Sequence, residues 1–346
     1  MAKPPSSAIG IDIGRHSIKA VLLARRGSNR VAVTHFAVRP LAQEGRTVEV
    51  LAAGLKGLLQ DLGATCKVGG IAISTADSMV RIIDQPAMPP ALLRDALRLN
   101  GVSLLNQDCK DLVLDCDLIP SSEPAQEGAP NPNKTVRYVV GGLPRVRVQE
   151  IHEASVKSKT PTSRLQVTPI SVFNAFEFSN EETFNNQAFV LVDIGHVSTT
   201  VIVGVKKELI LVRALEFGGH SFVEELICHG ASGYEEIMSQ LEQEEVLTVE
   251  NARLSLTELV RSISSSIGFF EARREEAIPR VFVCGGMAKS PMILKILTEE
   301  LQLPCESWDP FAKCEISVSS KNKELLLKEG PVLSAACGVA AEILKG

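Results

Sequence analysis

A short pattern occurs twice in this chain: an apolar, strand-like segment runs into Asp-Ile-Gly, and a hydroxyl-bearing residue follows three positions after the glycine. The first copy spans Ala8 to Ser17 and the second spans Phe189 to Thr200. Each copy lies near the start of one half of the chain, which predicts two related lobes that face one cleft. Because each strand ends in an acidic residue and a glycine turn, the pair can hold one polyphosphate from two sides.

The composition restricts the class of protein. A chain of 346 residues is long enough for two lobes with separate cores, and a net charge of −5 without a block of Lys and Arg argues against a nucleic-acid partner. The eight cysteines lack the spacing of metal ligands, which favours free thiols in a reducing, cytoplasmic compartment. We expect membrane contact only through a partner, because uninterrupted apolar segments fall short of the roughly 20 residues needed to cross a bilayer.

The first lobe is predicted to span residues 1–168 and to be completed by a C-terminal helix over 330–346. Its predicted elements are strands at 8–12, 18–24 and 31–38, a turn at 25–29, a helix at 51–62 and a strand at 68–74. A small subdomain of about residues 85–148 interrupts this lobe. Its predicted elements are a helix at 92–105, strands at 111–119 and 135–140, and a mobile hairpin loop at 120–134.

The second lobe, over residues 169–329, repeats the opening of the first with strands predicted at 189–193, 199–205 and 208–215. A smaller subdomain of about residues 217–262 follows, and we expect Ser221 to cap its first helix. Apolar residues at helical spacing predict a long helix that ends near Phe270. A strand at 281–284 runs into Gly285-Gly286, after which Ser290 and Pro291 signal the start of another helix.

Three glycine turns form the candidate nucleotide site. Glycine at the first two turns lets the backbone approach phosphate oxygens, and neighbouring hydroxyl groups, including that of Thr200, can donate hydrogen bonds to them. Two carboxylates, Asp12 and Asp193, can hold a hydrated Mg²⁺. The third turn, which precedes a helix N-terminus, suits the adenosine side. The candidate nucleotide-binding residues are Asp12, Gly14, Ser17, Lys19, Asp193, Gly195, Ser198, Thr199, Gly285, Gly286 and Met287.

Other residues near these turns are open to two interpretations. Lys19 can reach a phosphate or can face solvent. His16 and His196 can donate hydrogen bonds to phosphates, or they can be polar loop residues without a task. His220 and His229 have no evident ligand partner in the sequence, so we interpret them as structural.

In these three motifs the sequence resembles the actin-like ATPase superfamily and, within it, the PilM family of type IV pilus assembly proteins, which are relatives of FtsA. The resemblance covers nearly the whole chain. The three motifs specify the superfamily, and four further segments narrow it to the PilM family: Pro86-Ala-Met88-Pro89, Phe217-Gly218-Gly219, Trp308-Asp309-Pro310-Phe311 and Ala336-Cys337-Gly338. It implies an α/β protein with a two-lobed actin-like (ribonuclease-H-like) ATPase fold. Mixed sheets flanked by helices, with a small inserted subdomain in the first lobe, are expected.

The resemblance also implies a cytoplasmic adaptor at the inner face of the cytoplasmic membrane. Such a protein binds ATP and Mg²⁺ and works with other components of a type IV pilus machine or a related secretion machine. Proteins similar to PilM hold the N-terminal cytoplasmic tail of a PilN-like inner-membrane protein between the inserted subdomain and the lobe that carries it. In this chain we expect that groove along residues 82–105 and 137–142, where a tail would add extended backbone and a few apolar anchors.

Three departures from the family pattern bear on activity. Arg15 and His16 follow Asp-Ile-Gly in place of small hydroxyl residues, and residues 167–170 carry no carboxylate to orient an attacking water. The helix of the inserted subdomain has Leu99-Asn100-Gly101-Val102 where the family has a Tyr-Ile-Pro ending. We therefore expect ATP binding with slow or absent hydrolysis. The alternatives are a nucleotide-free scaffold of the same fold, a small-molecule kinase of the superfamily, and a filament-forming protein like FtsA.

Overall fold

The computed structural model describes residues 4–27, 30–41, 47–74, 78–122, 135–228 and 233–345. In this part of the chain, two mixed sheets carry helices on both faces, and a smaller third sheet accompanies them. The predicted turn at 25–29 lies partly outside the described residues, and His229 and nearly all of the predicted loop at 120–134 lie outside them. Across the described ranges, no helix has the length and apolar character needed to span a bilayer.

The first sheet is formed by the N-terminal strands and three later ones. Its members are β1 (Ser7–Ile13), β2 (Ser17–Arg26), β3 (Arg30–Pro40), β4 (Gly69–Ile73), β8 (Arg164–Val167) and β14 (Cys314–Ile316). Across the sheet their order is β14-β3-β2-β1-β4-β8. The pairs among β1, β2 and β3 are antiparallel, whereas β4, β8 and β14 join in parallel, so the sheet is mixed as expected.

The second sheet repeats this topology. Its members are β9 (Ala188–Ile194), β10 (Thr199–Val205), β11 (Glu208–Leu215), β12 (Val281–Gly285) and β13 (Cys305–Ser307). The order β11-β10-β9-β12-β13 corresponds strand by strand to β3-β2-β1-β4-β8. The strand directions also correspond, since β9 pairs antiparallel with β10 and parallel with β12. The repeated sequence pattern therefore corresponds to a repeated topology.

A third sheet is inserted between β4 and the remainder of the first lobe. It contains β5 (Met79–Pro86), β6 (Leu112–Leu118) and β7 (Thr135–Pro144) in the antiparallel order β5-β7-β6, and α2 (Pro90–Leu105) joins β5 to β6. The fully buried Tyr138 donates its hydroxyl hydrogen to the Met88 carbonyl oxygen and accepts a hydrogen bond from the Met88 amide. We propose that the inserted subdomain begins at Met79 rather than near residue 85, because β5 pairs with β7 along its whole length.

The other helices cover the two large sheets. They are α1 (Val48–Leu62), α3 (Arg145–Ser158), α4 (Thr168–Ser179), α5 (Glu181–Asn186), α6 (Gly219–Cys228), α7 (Tyr234–Glu242), α8 (Val246–Ser255), α9 (Thr257–Arg274), α10 (Pro291–Leu301), α11 (Ser320–Glu329) and α12 (Ser334–Lys345). Short 3₁₀ turns at Gly286–Lys289 and Gly330–Leu333 precede α10 and α12.

Capping residues explain where several helices begin and end. The Thr47 hydroxyl accepts from the Val50 amide at the start of α1, and Gly63, at φ 66°, ends that helix in the left-handed conformation. The prediction that Ser290 caps α10 is confirmed, since its hydroxyl accepts from the Ile293 amide over 3.4 Å. The prediction that Ser221 caps α6 is wrong, because this helix already begins at Gly219.

The layer between the two large sheets consists of α4 and α12. Both helices belong to one apolar cluster that also includes residues from β1, β2, β9 and β12. The ring of Phe176 in α4 lies 4.7 Å from that of Phe189, 4.8 Å from Phe282 and 5.4 Å from the indole of Trp308, to which it is perpendicular. This shared core holds the two sheets in a defined relation, and with them the two Asp-Ile-Gly turns.

Candidate functional site

The turns after β1 and β9 have the same backbone structure. The amide of Gly14 donates to the Ser17 carbonyl oxygen over 3.1 Å, and the amide of Gly195 donates to the Ser198 carbonyl oxygen over 3.0 Å. A Cβ at either glycine would lie 2.9 Å from the same carbonyl oxygen, which is closer than real Cβ contacts allow. Both turns therefore require glycine for the same reason.

The side chains before and after the turns also occupy equivalent positions. Asp12 is opposite Lys19 in the register of the first hairpin, and Asp193 is opposite Thr200 in the second. Lys19 in one lobe thus takes the place that Thr200 takes in the other. The repeat brings two carboxylates, one ammonium group and one hydroxyl to the same cleft.

A cavity of about 540 Å³ lies between the two turns. Ten of the eleven candidate nucleotide-binding residues line it. The exception is Thr199, which is fully buried and donates its hydroxyl hydrogen to the Phe217 carbonyl oxygen over 2.8 Å. Because successive residues of a strand point to opposite faces, the neighbouring Thr200 lines the cavity instead.

The two acidic residues of the cavity are in different electrostatic environments. Asp12 accepts a hydrogen bond from the Lys19 ammonium group over 2.8 Å. Burial and, to a smaller extent, the charge of Asp12 raise the pKa of the Asp193 carboxyl to about 6, although Lys19 and a hydrogen bond with the Cys284 thiol oppose this shift. Two carboxylates that disfavour each other's charge form a site that a cation would stabilise.

The donors fit Mg²⁺ better than a transition metal. Within the described residues, no group of three or more His, Cys, Asp or Glu side chains is placed to hold a metal ion. Mg²⁺ needs no such cluster, because it commonly binds through one or two carboxylates and keeps several of its waters. Asp12 and Asp193, on opposite walls of one cavity, satisfy that requirement.

The third glycine turn packs directly against the second. A Cβ at Gly285 would overlap the carbonyl oxygen of Ile194 and would lie 2.9 Å from a carboxylate oxygen of Asp193. Gly285 also has φ 87°, a conformation that side chains disfavour. Gly286 faces open space, and Met287 is buried beside it while still lining the cavity. The backbone of this turn therefore forms one flat wall of the cleft.

The segment Phe217-Gly218-Gly219 fixes the start of α6 on the second turn. The amide of Gly219 donates to the Gly195 carbonyl oxygen over 2.9 Å, and the amide of His220 donates to the His196 carbonyl oxygen over 2.8 Å. A Cβ at Gly218 would lie 2.5 Å from that His196 oxygen. These contacts explain why α6 begins before Ser221, and they aim the positive end of its helix dipole at the cavity.

Several residues that line the cavity were not predicted from the sequence motifs. His220 was interpreted as structural, yet it lines the cavity directly after the Phe217-Gly218-Gly219 segment. Tyr234 from α7 also lines it, as do Lys289 and Glu329, which form an ion pair of 2.9 Å. His220 and Lys289 each follow a glycine motif closely, and that position could have signalled their role, whereas Tyr234 and Glu329 come from distant segments.

Replacing Asp193 by asparagine is expected to stabilise the folded protein near neutral pH. Its folded-state pKa of about 6 lies above the ordinary value of 3.8. The stability that this group contributes is therefore fully present at the acidic end and is lost as the pH rises through 6. Urea unfolding should show that the advantage of the Asp193→Asn protein over wild type grows between about pH 4 and about pH 6 and stays constant at higher pH.

The matched control for this experiment is Asp95→Asn, a change at an exposed side chain on α2. Its difference from wild type should be small at every pH. An Asp193→Asn protein with the same pH dependence as wild type would contradict the raised pKa.

Comparisons with known proteins agree with this architecture. The family model described as type IV pilus assembly protein PilM matches residues 171–343. Among solved structures, the chain is similar to a PilM–PilN type IV pilus biogenesis complex, with a TM-score of 0.81 and 22% identity over 99% of this chain and 100% of that chain.

Two further structures share the fold at lower similarity. Ethanolamine utilization protein EutJ from Carboxydothermus hydrogenoformans has a TM-score of 0.53 and 13% identity over 98% of this chain and 90% of that chain. A diol dehydratase-reactivating factor in nucleotide-free form has a TM-score of 0.57 and 9% identity over 99% of this chain and 100% of that chain.

These likenesses and the duplicated sheet topology confirm the predicted fold class, a two-lobed actin-like ATPase fold with mixed sheets flanked by helices. The family model spans half of the chain and includes both the second Asp-Ile-Gly turn and the glycine turn after β12. The chain belongs to the PilM family of type IV pilus assembly proteins.

Proposed function

We propose that this protein is a cytoplasmic, nucleotide-binding adaptor that holds the N-terminal tail of a PilN-like inner-membrane protein. The observation that carries the nucleotide part is the pair of equivalent Asp-Ile-Gly turns on opposite walls of one cavity. The choice of partner is supported by membership of the PilM family and by the similarity to a PilM–PilN complex. Through that partner the protein would act at the inner face of the cytoplasmic membrane, with other pilus-assembly components.

The cavity offers a place for each part of ATP. The backbone amides of the two turns and the hydroxyl groups of Ser17, Ser198 and Thr200 would bind the phosphates. Mg²⁺ bound through water at Asp12 and Asp193 would neutralise phosphate charge. The flat wall formed by the third glycine turn would accept the adenosine. Lys19, which is paired with Asp12, would be a further hydrogen-bond donor to the phosphates.

The arrangement of acids supports slow or absent hydrolysis. Among the described residues that line the cavity, three carry carboxylates, and each has another role in this proposal. Asp12 is paired with Lys19, Glu329 is paired with Lys289, and Asp193 would face the metal ion. Thr168, at the connection between the lobes, donates its hydroxyl to the Ile73 carbonyl oxygen over 2.8 Å, so it supplies no general base.

Isothermal titration with a non-hydrolysable ATP analogue tests nucleotide binding. We expect binding that depends on Mg²⁺ and that weakens about tenfold or more in Asp12→Asn and in Asp193→Asn, since each removes a carboxylate from the metal site. Asp61→Asn, at an exposed residue of α1, is the control and should bind as wild type does. Absence of binding by the wild-type protein would identify it as the nucleotide-free scaffold of this fold.

A second cavity supports the proposal of a peptide groove. It has a volume of about 380 Å³ and lies between the C-terminal half of α2, β6 and Arg145 at the start of α3. Its lining includes residues 97–102 of the predicted groove, whereas residues 137–142 do not line it. Leu99 is 89% exposed and Val113 is 40% exposed at its rim.

The shape of this region suits an extended peptide. In the described part of the third sheet, β6 is an edge strand, so a tail could pair with its outer side. Such a tail would replace the side-chain oxygens of Asp115 and Asp117 that now accept from the amides of Cys116 and Leu118. The helix beside it is kinked at Asn100, which has φ −141° inside α2. This kink leaves Leu99 and Val102 exposed next to the edge strand, where they could receive apolar side chains of the tail.

Fluorescence anisotropy with synthetic N-terminal tails of inner-membrane proteins from the same organism tests the groove. We expect one tail to bind. Leu99→Ser should weaken that binding about tenfold, because it removes an apolar contact at the rim of the groove. Leu254→Ser is the matched control, since Leu254 in α8 is 68% exposed but remote from the groove. Equal affinities for wild type and Leu99→Ser would place the tail elsewhere.

A further inference from the structure

Three of the six histidines of the chain meet on the wall of the nucleotide cavity. They come from three segments: His16 from the turn after β1, His196 from the turn after β9, and His220 from the first turn of α6. The ring centroids of His16 and His196 are 4.8 Å apart, and those of His196 and His220 are 5.2 Å apart, with the latter two rings stacked at an interplanar angle of 30°. The row crosses from one lobe to the other, with His196 in the middle.

The surroundings of His196, the middle ring of this row, disfavour a positive charge on it. Burial lowers the pKa of His196, and His16, His220 and Lys19 lower it further. The charged groups that share this part of the cavity or pair with the row are Arg15, Lys19, Asp12, Asp193 and Glu224. Glu224 lies 3.3 Å from the His220 ring, and Asp12 is already paired with Lys19.

A phosphate chain would reverse this balance. Neutral imidazole offers one N–H donor, and imidazolium offers two, so a bound polyphosphate favours the protonated rings. Because His16 and His196 lie on different lobes, an anion that accepts hydrogen bonds from both rings would contact both turns at once. The two histidines do not occupy equivalent positions of the repeat. In the alignment of the two turns, His16 corresponds to Val197 and His196 corresponds to Arg15.

We propose that His16, His196 and His220 bind the phosphate chain of the nucleotide and take up protons as it binds. This inference rests on the proposed nucleotide binding. It predicts that affinity rises as the pH falls from about 8 to about 6, and that a triphosphate gains more than a diphosphate because it carries more charge.

Isothermal titration of a non-hydrolysable ATP analogue, and of ADP, tests the proposal in two buffers of different ionisation enthalpy, with and without Mg²⁺. The terminal phosphate itself titrates near pH 6, so the decisive quantity is the difference between wild type and variant. His196→Asn should lose about tenfold in affinity for the triphosphate at about pH 6, and less than about twofold at about pH 8. Its proton uptake should fall below that of wild type.

His152→Asn, at an exposed residue of α3 outside the cavity, is the control and should match wild type in affinity and proton uptake. His220→Asn, at a half-exposed side chain, gives a second test should His196→Asn fold poorly. Histidine ring signals in NMR provide a readout independent of affinity: inorganic triphosphate should raise the pKa of His196.

The possible outcomes separate the two proposals. Binding by wild type, with equal proton uptake and equal pH dependence in His196→Asn and His220→Asn, would overturn the histidine role and leave nucleotide binding standing. Absence of binding by wild type at every pH would overturn both.

Discussion

Replacing Gly338 by alanine is expected to destabilise the protein by about 3 kcal/mol or more, at or above the upper end of the usual cost of overpacking. Gly338 lies where α12 crosses α4. An added Cβ would overlap the carbonyl oxygen of Ser171 and would lie 2.7 Å from its carbonyl carbon and 3.0 Å from the Ala175 amide nitrogen. All three atoms belong to the backbone of α4, so no side-chain rotation can relieve the clash and the helices must separate.

Movement of α12 would also disturb the nucleotide site. On its other side this helix contacts β1, where a Cβ at Gly10 would overlap the Ala336 carbonyl oxygen and lie 2.8 Å from the Ala340 amide nitrogen. The strand β1 also carries Asp12 near its end, so α12 has backbone contacts both with α4 and with the strand that leads into the first turn. We expect Gly338→Ala to weaken nucleotide binding as well as stability.

A matched substitution separates this clash from the general preference of helices for alanine. Gly268 is an exposed residue inside α9, and its added Cβ would meet nothing within 4 Å. Gly268→Ala should therefore stabilise the protein by about 0.5–1 kcal/mol, opposite in sign to Gly338→Ala. Urea unfolding of both variants measures the difference. Equal effects of the two substitutions would show that the α4–α12 crossing is not tightly packed.

Replacing Glu208 by alanine is expected to cost about 3–5 kcal/mol, the range for breaking a buried ion pair from one side. The side chain of Glu208, in β11, is 4% exposed. One of its carboxylate oxygens lies 2.7 Å from a guanidinium nitrogen of Arg137 and 2.8 Å from one of Arg274. The other accepts from the Ser122 amide over 3.0 Å. Loss of this carboxylate would leave two largely buried arginines without their shared counter-charge.

This cluster joins the inserted sheet to the second lobe. Arg137 belongs to β7 and also donates to the Ile210 carbonyl oxygen in β11, over 2.8 Å. Arg274 is the last residue of α9. Hydrogen exchange should therefore show faster exchange in β5–β7 of Glu208→Ala than in the wild type, beyond the change expected from global destabilisation.

The pH dependence of stability gives a second signature of this cluster. Burial by itself raises the pKa of the Glu208 carboxyl, but hydrogen bonds from Ser122 and Arg137 and the charge of Arg274 outweigh it, so the pKa falls below the ordinary value of 4.5. The stability from this group is present above 4.5 and is lost as the pH falls through the lower, folded-state pKa. In Glu208→Gln, the free energy of unfolding should fall less steeply as the pH is lowered below about 4.5.

The control for Glu208 is Glu276, whose side chain is 32% exposed and pairs with Lys206 over 3.0 Å. Glu276→Ala should change the free energy of unfolding by less than about 1 kcal/mol, as exposed ion pairs do. A Glu208→Ala protein as stable as Glu276→Ala would mean that solvent reaches the cluster and compensates the two arginines.

Local patterns predicted the elements of the duplicated hairpins well. Alternating β-branched residues, the Asp-Ile-Gly turns and the Ser290–Pro291 start signal each depend on residues close together in the chain, and the structure has the corresponding strands, turns and helix. Short elements and elements with a weak apolar pattern were not predicted. The strands β13 and β14 have three residues each, and α3 exposes Val146 and Val156 while burying Arg147, so its apolar spacing is no guide.

By itself the sequence determined the two-lobed class, the duplicated turns and ten of the residues that line the cavity, because strand register and glycine turns are local properties of the chain. Only the tertiary structure decided that Thr199 faces the core, that His220 joins His16 and His196, and that Glu208 ties the inserted sheet to the second lobe. Each of these depends on segments far apart in sequence that meet only when the sheets pack on α4 and α12. Side-chain neighbours of that kind follow from packing, which no local pattern encodes.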